Sequence, residues 1–308
     1  MQVDRRSLLT GASAALAASA LPAPARAARA PFERKIGAAA VSVISDGSLS
    51  VSLSFTLPET PPQEVAALLS TLGMSSGDVP VPTNVTWLRT ENEVVLADCG
   101  AGANFQPTAG KLFENMEAAG LDPAQVTKIV FTHGHADHLW GAIDEFDELR
   151  FPNASYVISA AEWNFWTDPN TPARVPDWLA GMAHGSARIL KRLESKIERK
   201  KPGDVVAAGL TYVATPGHTP GHMSLLLESA GEQLLIGGDA LTHSGVSFAR
   251  PEWRIGSDFD RDLAVNTRRR LLDRLATDRL EFIGFHLPWP GHGTVERRDT
   301  SFRFVPTT

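Results

Sequence analysis

Apolar positions along this chain follow two periods, and the switching between them sets out a series of strands and helices. Short β-branched runs that alternate apolar with polar residues predict strands over residues 38–45, 49–53, 84–89, 93–97, 126–131, 155–159, 210–214, 223–228, 233–236 and 281–285. Apolar residues three or four apart predict helices over 63–72, 111–119, 187–200 and 261–277. Asp46-Gly47 has the chemistry of a tight turn and predicts a hairpin joining the first two strands, and residues 84–97 read as a second hairpin. Strands and helices recur in a similar order in the two halves. That recurrence predicts an α+β fold in which two sheets pack face to face with helices outside. A tryptophan-rich, then basic segment at about 161–201 interrupts the rhythm and predicts a helical insert in one domain spanning residues 31–308.

With 308 residues, 43% hydrophobic and 21% charged, the chain is long enough for a sizeable core and ordinary in composition for a globular protein. A net charge of −6 without a basic stripe argues against nucleic acid as a partner. The first 30 residues differ from the rest. Arg5-Arg6 precedes a small, weakly apolar run from Gly11 to Leu21, and both Ala25-Arg26-Ala27 and Ala28-Arg29-Ala30 suit a small-x-small cleavage site. This predicts a twin-arginine export signal over residues 1–30 and a periplasmic or secreted protein. The run is too short and too alanine-rich for stable membrane anchoring. The single cysteine, Cys99, has no partner in the chain for a disulfide.

The candidate chemistry is concentrated in His133-Gly134-His135-Ala136-Asp137-His138, where four nitrogen or oxygen donors fall within six positions just after a predicted strand. That density suits a borderline Lewis acid. In extended backbone His133 and His135 point to one side and can grip one ion, while Asp137 and His138 follow where the chain turns and can face a second. Three further strand ends carry donors. Thr215-Pro216-Gly217-His218-Thr219-Pro220-Gly221-His222 offers two histidines, of which His218 lies nearer the strand, with His222 as its supporting or packing neighbour. Gly237-Gly238-Asp239 presents a carboxylate able to bridge two cations, and Phe285-His286 follows the last strand, with His286 preferred to His292. His184 and His243 read as surface or pocket-lining residues.

Taken together, the H-x-H-x-D-H run, the T-P-G-H turn, the G-G-D strand end and the final F-H resemble the metallo-β-lactamase superfamily, from about residue 38 onward. The resemblance implies a four-layer αββα sandwich holding one or two metal ions at the edge of its sheets. It implies one ion on His133, His135 and His218, a second on Asp137, His138 and His286, and Asp239 between them. Asp98 would support the site from behind, in a turn similar to the family's D-x-G. Asp137 and Asp239 are the candidate catalytic carboxylates. The expected cofactors are two divalent cations, zinc first, with manganese, cobalt or iron as alternatives. Within the superfamily the chain looks most like methyl parathion hydrolase-like proteins, through Phe151-Pro152-Asn153-Ala154, Phe285-His286-Leu287 and Phe302-Arg303-Phe304-Val305-Pro306. That likeness implies hydrolysis of organophosphate triesters or aryl and carboxylic esters by a hydroxide shared between the ions, with Phe105, Trp166 and Trp178 lining the substrate pocket. It leaves a homodimer open.

Two other readings stand beside this one. Quorum-signal lactonases share the seven ligands but carry a tyrosine three residues beyond the bridging aspartate, where this chain has Thr242. A non-catalytic periplasmic metal-binding relative is the third, against which the complete ligand set argues. The common β-lactamases usually have a cysteine where Asp239 stands, which makes a penicillin-type substrate a poor match.

Overall fold

The computed structural model describes residues 29–307. The export signal expected over 1–30 therefore lies outside the described residues, apart from its last two positions. Among the described residues no helix is long and apolar enough to cross a membrane.

A first seven-stranded sheet runs in chain order through β1 (Phe32–Ile36), β2 (Ala39–Ser50), β3 (Pro80–Arg89), β4 (Val94–Ala97), β5 (Lys128–Val130), β6 (Ser155–Ser159) and β7 (Ile197–Lys200). Its strands are antiparallel as far as β4 and parallel from β4 to β7. Seven helices join them: α1 (Leu53–Thr56), α2 (Pro62–Thr71), α3 (Leu112–Ala118), α4 (Ala136–Leu139), α5 (Ala160–Thr167), α6 (Thr171–Arg174) and α7 (Asp177–Leu193). The second sheet holds β8 (Val205–Ala207), β9 (Leu210–Ala214), β10 (Met223–Ser229), β11 (Glu232–Ile236), β12 (Glu281–Ile283), β13 (His292–Arg298) and β14 (Ser301–Pro306), again in sequential order. Only β11 and β12 pair in parallel there, through the crossover that carries α8 (Val246–Ala249) and α9 (Arg261–Asp278).

The side chains give four layers. Val41, Val43, Val95 and Val130 of the first sheet meet Leu225, Leu227, Leu234 and Ile236 of the second in a core between the sheets. On the outer face of the first sheet, Trp87, Leu96 and Ile129 pack with residues of α3, α5 and α7. On the outer face of the second, Leu226, Leu235 and Phe282 pack with Leu271, Leu272 and Leu275 of α9. The successive leucines of β10 follow from this arrangement, because a strand covered on both faces needs apolar residues at every position. This is the αββα sandwich.

Three local expectations change. Asp46-Gly47 is not a hairpin turn but the irregularity inside one long strand, where the pairing of β2 with β3 shifts between Ser45 and Ser48. The Asp46 carboxylate is buried and accepts the backbone N–H groups of Ala101 (2.8 Å), Gly110 (3.2 Å) and Leu112 (2.8 Å), so tertiary bonds replace the turn. Residues 49–53 accordingly divide between the end of β2 and the start of α1. The helix expected over 187–200 is the last part of α7. Its apolar stripe ends at Leu193, and Ile197–Lys200 pairs as edge strand β7 with β6. The helical segment thus forms the crossover between two parallel strands. Strands β1, β13 and β14 also join the sheets; β13 and β14 are charged on their outer positions, which blurs their two-residue period.

Candidate metal centre

Each predicted donor stands just after a strand whose C-terminal end faces one edge of the sandwich. Asp98 follows β4, the segment His133 to His138 follows β5, His218 and His222 follow β9, Asp239 follows β11, and His286 follows β12. The parallel pairs β4–β5 and β11–β12 put these ends side by side, so residues about 150 positions apart converge. Two groups of buried donor atoms result, each with all its atoms within 4.8 Å of one another: His133, His135, His218 and Asp239, and then Asp137, His138 and His286. Asp239 joins them. Its Oδ2 lies 3.2 Å from His218 Nε2 and 3.2 Å from His286 Nε2, and its Oδ1 lies 3.2 Å from His138 Nε2.

Hydrogen bonds fix which ring nitrogen faces the centre. Asp98 accepts the Thr132 backbone N–H (2.7 Å), the Thr132 hydroxyl (2.8 Å) and His138 Nδ1–H (2.7 Å). With its only hydroxyl proton given to Asp98, Thr132 Oγ1 accepts from His133 Nδ1–H at 3.1 Å. His286 Nδ1–H donates to the Pro82 carbonyl (2.9 Å) and His218 Nδ1–H to Asp258 (3.0 Å). Four imidazoles are thereby held with Nε2 turned inward, as metal-binding histidines are. His135 and His218 face one another, His135 Nδ1 lying 3.0 Å from His218 Nε2. The inward atoms His133 Nε2, His138 Nε2, Asp137 Oδ2 and Asp239 Oδ1 are buried without a hydrogen-bond partner. Buried lone pairs converging on one another cost free energy unless a cation lies between them, so the donor set fits divalent metal.

The charges point the same way. Burial opposes ionisation of Asp137 and Asp239, yet the neighbouring imidazoles, His138 beside Asp137 and His286 and His138 beside Asp239, hold both below the usual carboxylate range. Burial works against protonation of His218 and His286 too, but Asp239 with Asp258 lifts the first to about 9, and Asp239 with Asp137 lifts the second to about 10. Burial and the surrounding imidazoles push His133 and His135 down instead. Two carboxylates amid five imidazoles demand positive charge.

His222 supports Asp239 rather than joining it. Its Nδ1–H donates to the Thr215 carbonyl (3.1 Å), and its Nε2 accepts the Asp239 backbone N–H (3.0 Å). Burial, with His218 nearby, lowers it to about 3, which keeps that nitrogen an acceptor. Gly238 between them has φ +52°, and a Cβ there would come 2.7 Å from the His222 ring.

Sequence reading missed Glu162, Asp258 and Arg268. The Glu162 carboxylate is buried and ties both histidine loops together: Oε2 accepts Gly134 N–H (2.9 Å) and Trp166 Nε1–H (2.6 Å), and Oε1 accepts Gly221 N–H (2.8 Å). Ser159-Ala160-Ala161-Glu162 has the spacing of a capping box, so a local role hid the long-range one. Arg268 donates to Asp258 (2.8 Å), which carries the line on to His218. Its signal was a charge in register with Ala264, Leu271 and Leu275 on the buried stripe of α9.

A cavity of about 460 Å³ opens from this centre. Its inner end is formed by His135, Asp137, His218, Asp239 and His286, and its walls are largely apolar, with Leu49, Val51, Phe55 and Met182 among them. Phe105 and Trp178 line it; the Trp178 ring is 40% exposed and lies edge-on to Phe55 at 5.2 Å. Trp166 does not line it, which corrects the expectation of a substrate contact. Its ring is 1% exposed, packs edge-on to His135 at 5.6 Å and closes over Gly134, where a Cβ would come within 2.4 Å of it. His184 is exposed, and His292 is buried against Glu281 (2.8 Å).

Comparison with known proteins agrees with this geometry. The family model of the metallo-beta-lactamase superfamily matches residues 78–286. N-acyl homoserine lactonase AttM of Rhizobium radiobacter is 34% identical over 138 residues, 40% of this chain and 44% of that protein. The chain thus spans less than half the length of the curated lactonases it matches. The probable metallo-hydrolase Mb2322c of Mycobacterium bovis is 27% identical over 248 residues, 73% of this chain and 78% of that one. Among solved structures, the dizinc quorum-quenching lactonase AidC, in complex with a product, superposes with a TM-score of 0.85 at 26% identity, covering 91% of this chain and 98% of its own. The hydrolase AbOPH does so with a TM-score of 0.83 at 29% identity and the same coverage. The chain belongs to the metallo-beta-lactamase superfamily.

Proposed function

We propose that the protein is a dinuclear metal-dependent hydrolase of ester bonds, and that its substrate is a cyclic carboxylic ester bearing an apolar arm. The observation that carries this is the opening of the two pinned donor clusters onto one end of a mostly apolar cavity. The lactonase relatives AttM and AidC support the cyclic ester. His133, His135 and His218 would hold one cation and Asp137, His138 and His286 the other, with Asp239 in contact with both sets. When bound, such a pair lowers the pKa of water toward neutrality and polarises the oxygen of an ester.

The chain's own residues do the rest. The apolar walls take the arm and exclude water, and Trp178 at the mouth sets which arms enter. Asp98, Thr132, Asp258 and the Pro82 carbonyl keep the imidazole rings from turning. Asp137 and Asp239 stay ionised, which keeps them anionic donors for the two cations and hydrogen-bond acceptors toward attacking water.

Zinc-loaded protein assayed on N-hexanoyl homoserine lactone, 4-nitrophenyl hexanoate and an aryl diethyl phosphate tests this. Chelator-sensitive hydrolysis fastest on the lactone is expected. The aromatic wall of Phe55, Phe105 and Trp178 favours a second reading, in which a phenolic leaving group sits there. Fast phosphotriester cleavage with inert lactone would select that reading, and inertness toward all three with both ions bound would leave a non-catalytic metal-binding protein. The proposed place of action is the periplasm or beyond, on the strength of Arg5-Arg6 and the run that follows. Retention of the precursor in a host without twin-arginine transport would support it.

A further inference from the structure

His243 shares the cavity with the metal-site residues but belongs to neither donor group. Its Nδ1 accepts two backbone N–H groups, from Gly245 (3.1 Å) and Val246 (3.2 Å), at the start of α8. Its own N–H donates to Ser247 Oγ (3.1 Å), and its carbonyl accepts Ser247 N–H (3.0 Å), so the residue is clamped from both sides. A ring nitrogen that accepts two N–H groups carries no proton, which puts the proton of the neutral ring on Nε2. Double protonation would set Nδ1–H against both donors, and burial also disfavours it. Loss of the Nε2 proton would leave an imidazolate. The ring is therefore locked as a neutral donor. Among the described residues no partner takes the Nε2–H, and the ring lines the cavity.

We infer that His243 donates its Nε2–H to the substrate oxygen that gains negative charge as the ester is attacked. The inference rests on the ester-hydrolase reading and adds to it a donor independent of the metal ions. The donor is preorganised: α8 holds it in place before substrate arrives, and the proton is shared with the oxygen without being transferred. Removing one such donor lowers kcat by about 100-fold or more.

Two isosteres separate this role from helix capping. His243→Asn keeps an acceptor where Nδ1 stood and loses the outer donor; His243→Gln keeps a donor near Nε2 and loses the cap. With zinc-loaded proteins and the lactone and nitrophenyl esters above, H243N should lose about 100-fold in kcat with its Tm nearly unchanged. H243Q should keep kcat within about tenfold while its Tm falls. Ring ¹⁵N shifts of the wild type should report protonated Nε2, moved by added hexanoate. Full activity in H243N, or a proton found on Nδ1, would overturn the inference alone, and the tautomer decides even if H243N fails to fold. A wild type that opens neither ester would overturn the hydrolase reading and the inference with it.

Discussion

Replacing Glu162 by alanine should break the link between the two halves of the metal centre. The carboxylate bonds Gly134 N–H at 2.9 Å, between the ligands His133 and His135, and Gly221 N–H at 2.8 Å, in the loop that carries His218 and His222. It also bonds Trp166 Nε1–H at 2.6 Å, beneath His135. Alanine leaves these three buried donors without an acceptor, at about 1–3 kcal/mol each. Water entering the space would recover part, which gives a loss of about 2–6 kcal/mol. Against a total of about 5–15 kcal/mol for a folded protein, that is a large fraction. Urea unfolding of the metal-free protein, followed by circular dichroism, reads the loss directly. Elemental analysis after dialysis reads the second effect: both loops must be in place to hold the first ion, so its occupancy should fall. Because bound metal adds to stability by mass action, zinc should raise the midpoint of E162A less than that of the wild type. Unfolding free energy within about 1 kcal/mol of wild type, with full metal content, would refute the reasoning.

Asp239→Ala removes the carboxylate that touches both donor groups, so metal content and turnover should fall together; full content of two ions would contradict that placement. Trp178→Ala should raise KM or change the preferred arm with metal content intact, whereas Trp166→Ala should lower metal content and Tm, because one ring lines the cavity and the other underlies His135. Burial pushes Asp46 up to about 7 against three backbone donors, from about 4 in the unfolded chain. The folded state then binds the extra proton between those values, so wild-type stability falls relative to Asp46→Asn as pH rises from about 4 to 7. The swing is up to about 4 kcal/mol, measurable by unfolding at several pH values, and a flat difference would show that the carboxyl titrates normally.

The donors were legible because metal chemistry leaves residues that little else explains, clustered at strand ends. The alternating runs around them gave most of the strands and the layering. What stayed hidden shares one cause: local spacing carried a plausible local meaning. Ser159 to Glu162 reads as a helix cap, although the glutamate reaches two loops 28 and 59 residues away. Asp46-Gly47 reads as a turn, although its carboxylate closes onto residues 101, 110 and 112. Trp166 and Trp178 lie twelve positions apart in the same aromatic-rich segment, and tertiary contacts with Gly134, His135 and Glu162 separate the buried ring from the exposed one.

The central claim is that seven side chains from both sheets hold two cations beside one cavity. Elemental analysis of the purified, zinc-supplemented and dialysed protein tests it most directly. Two equivalents of metal per chain are expected, falling to one or none when Asp239 is replaced. A folded protein with no tightly held metal, or a content unaffected by Asp239→Ala, would contradict the account.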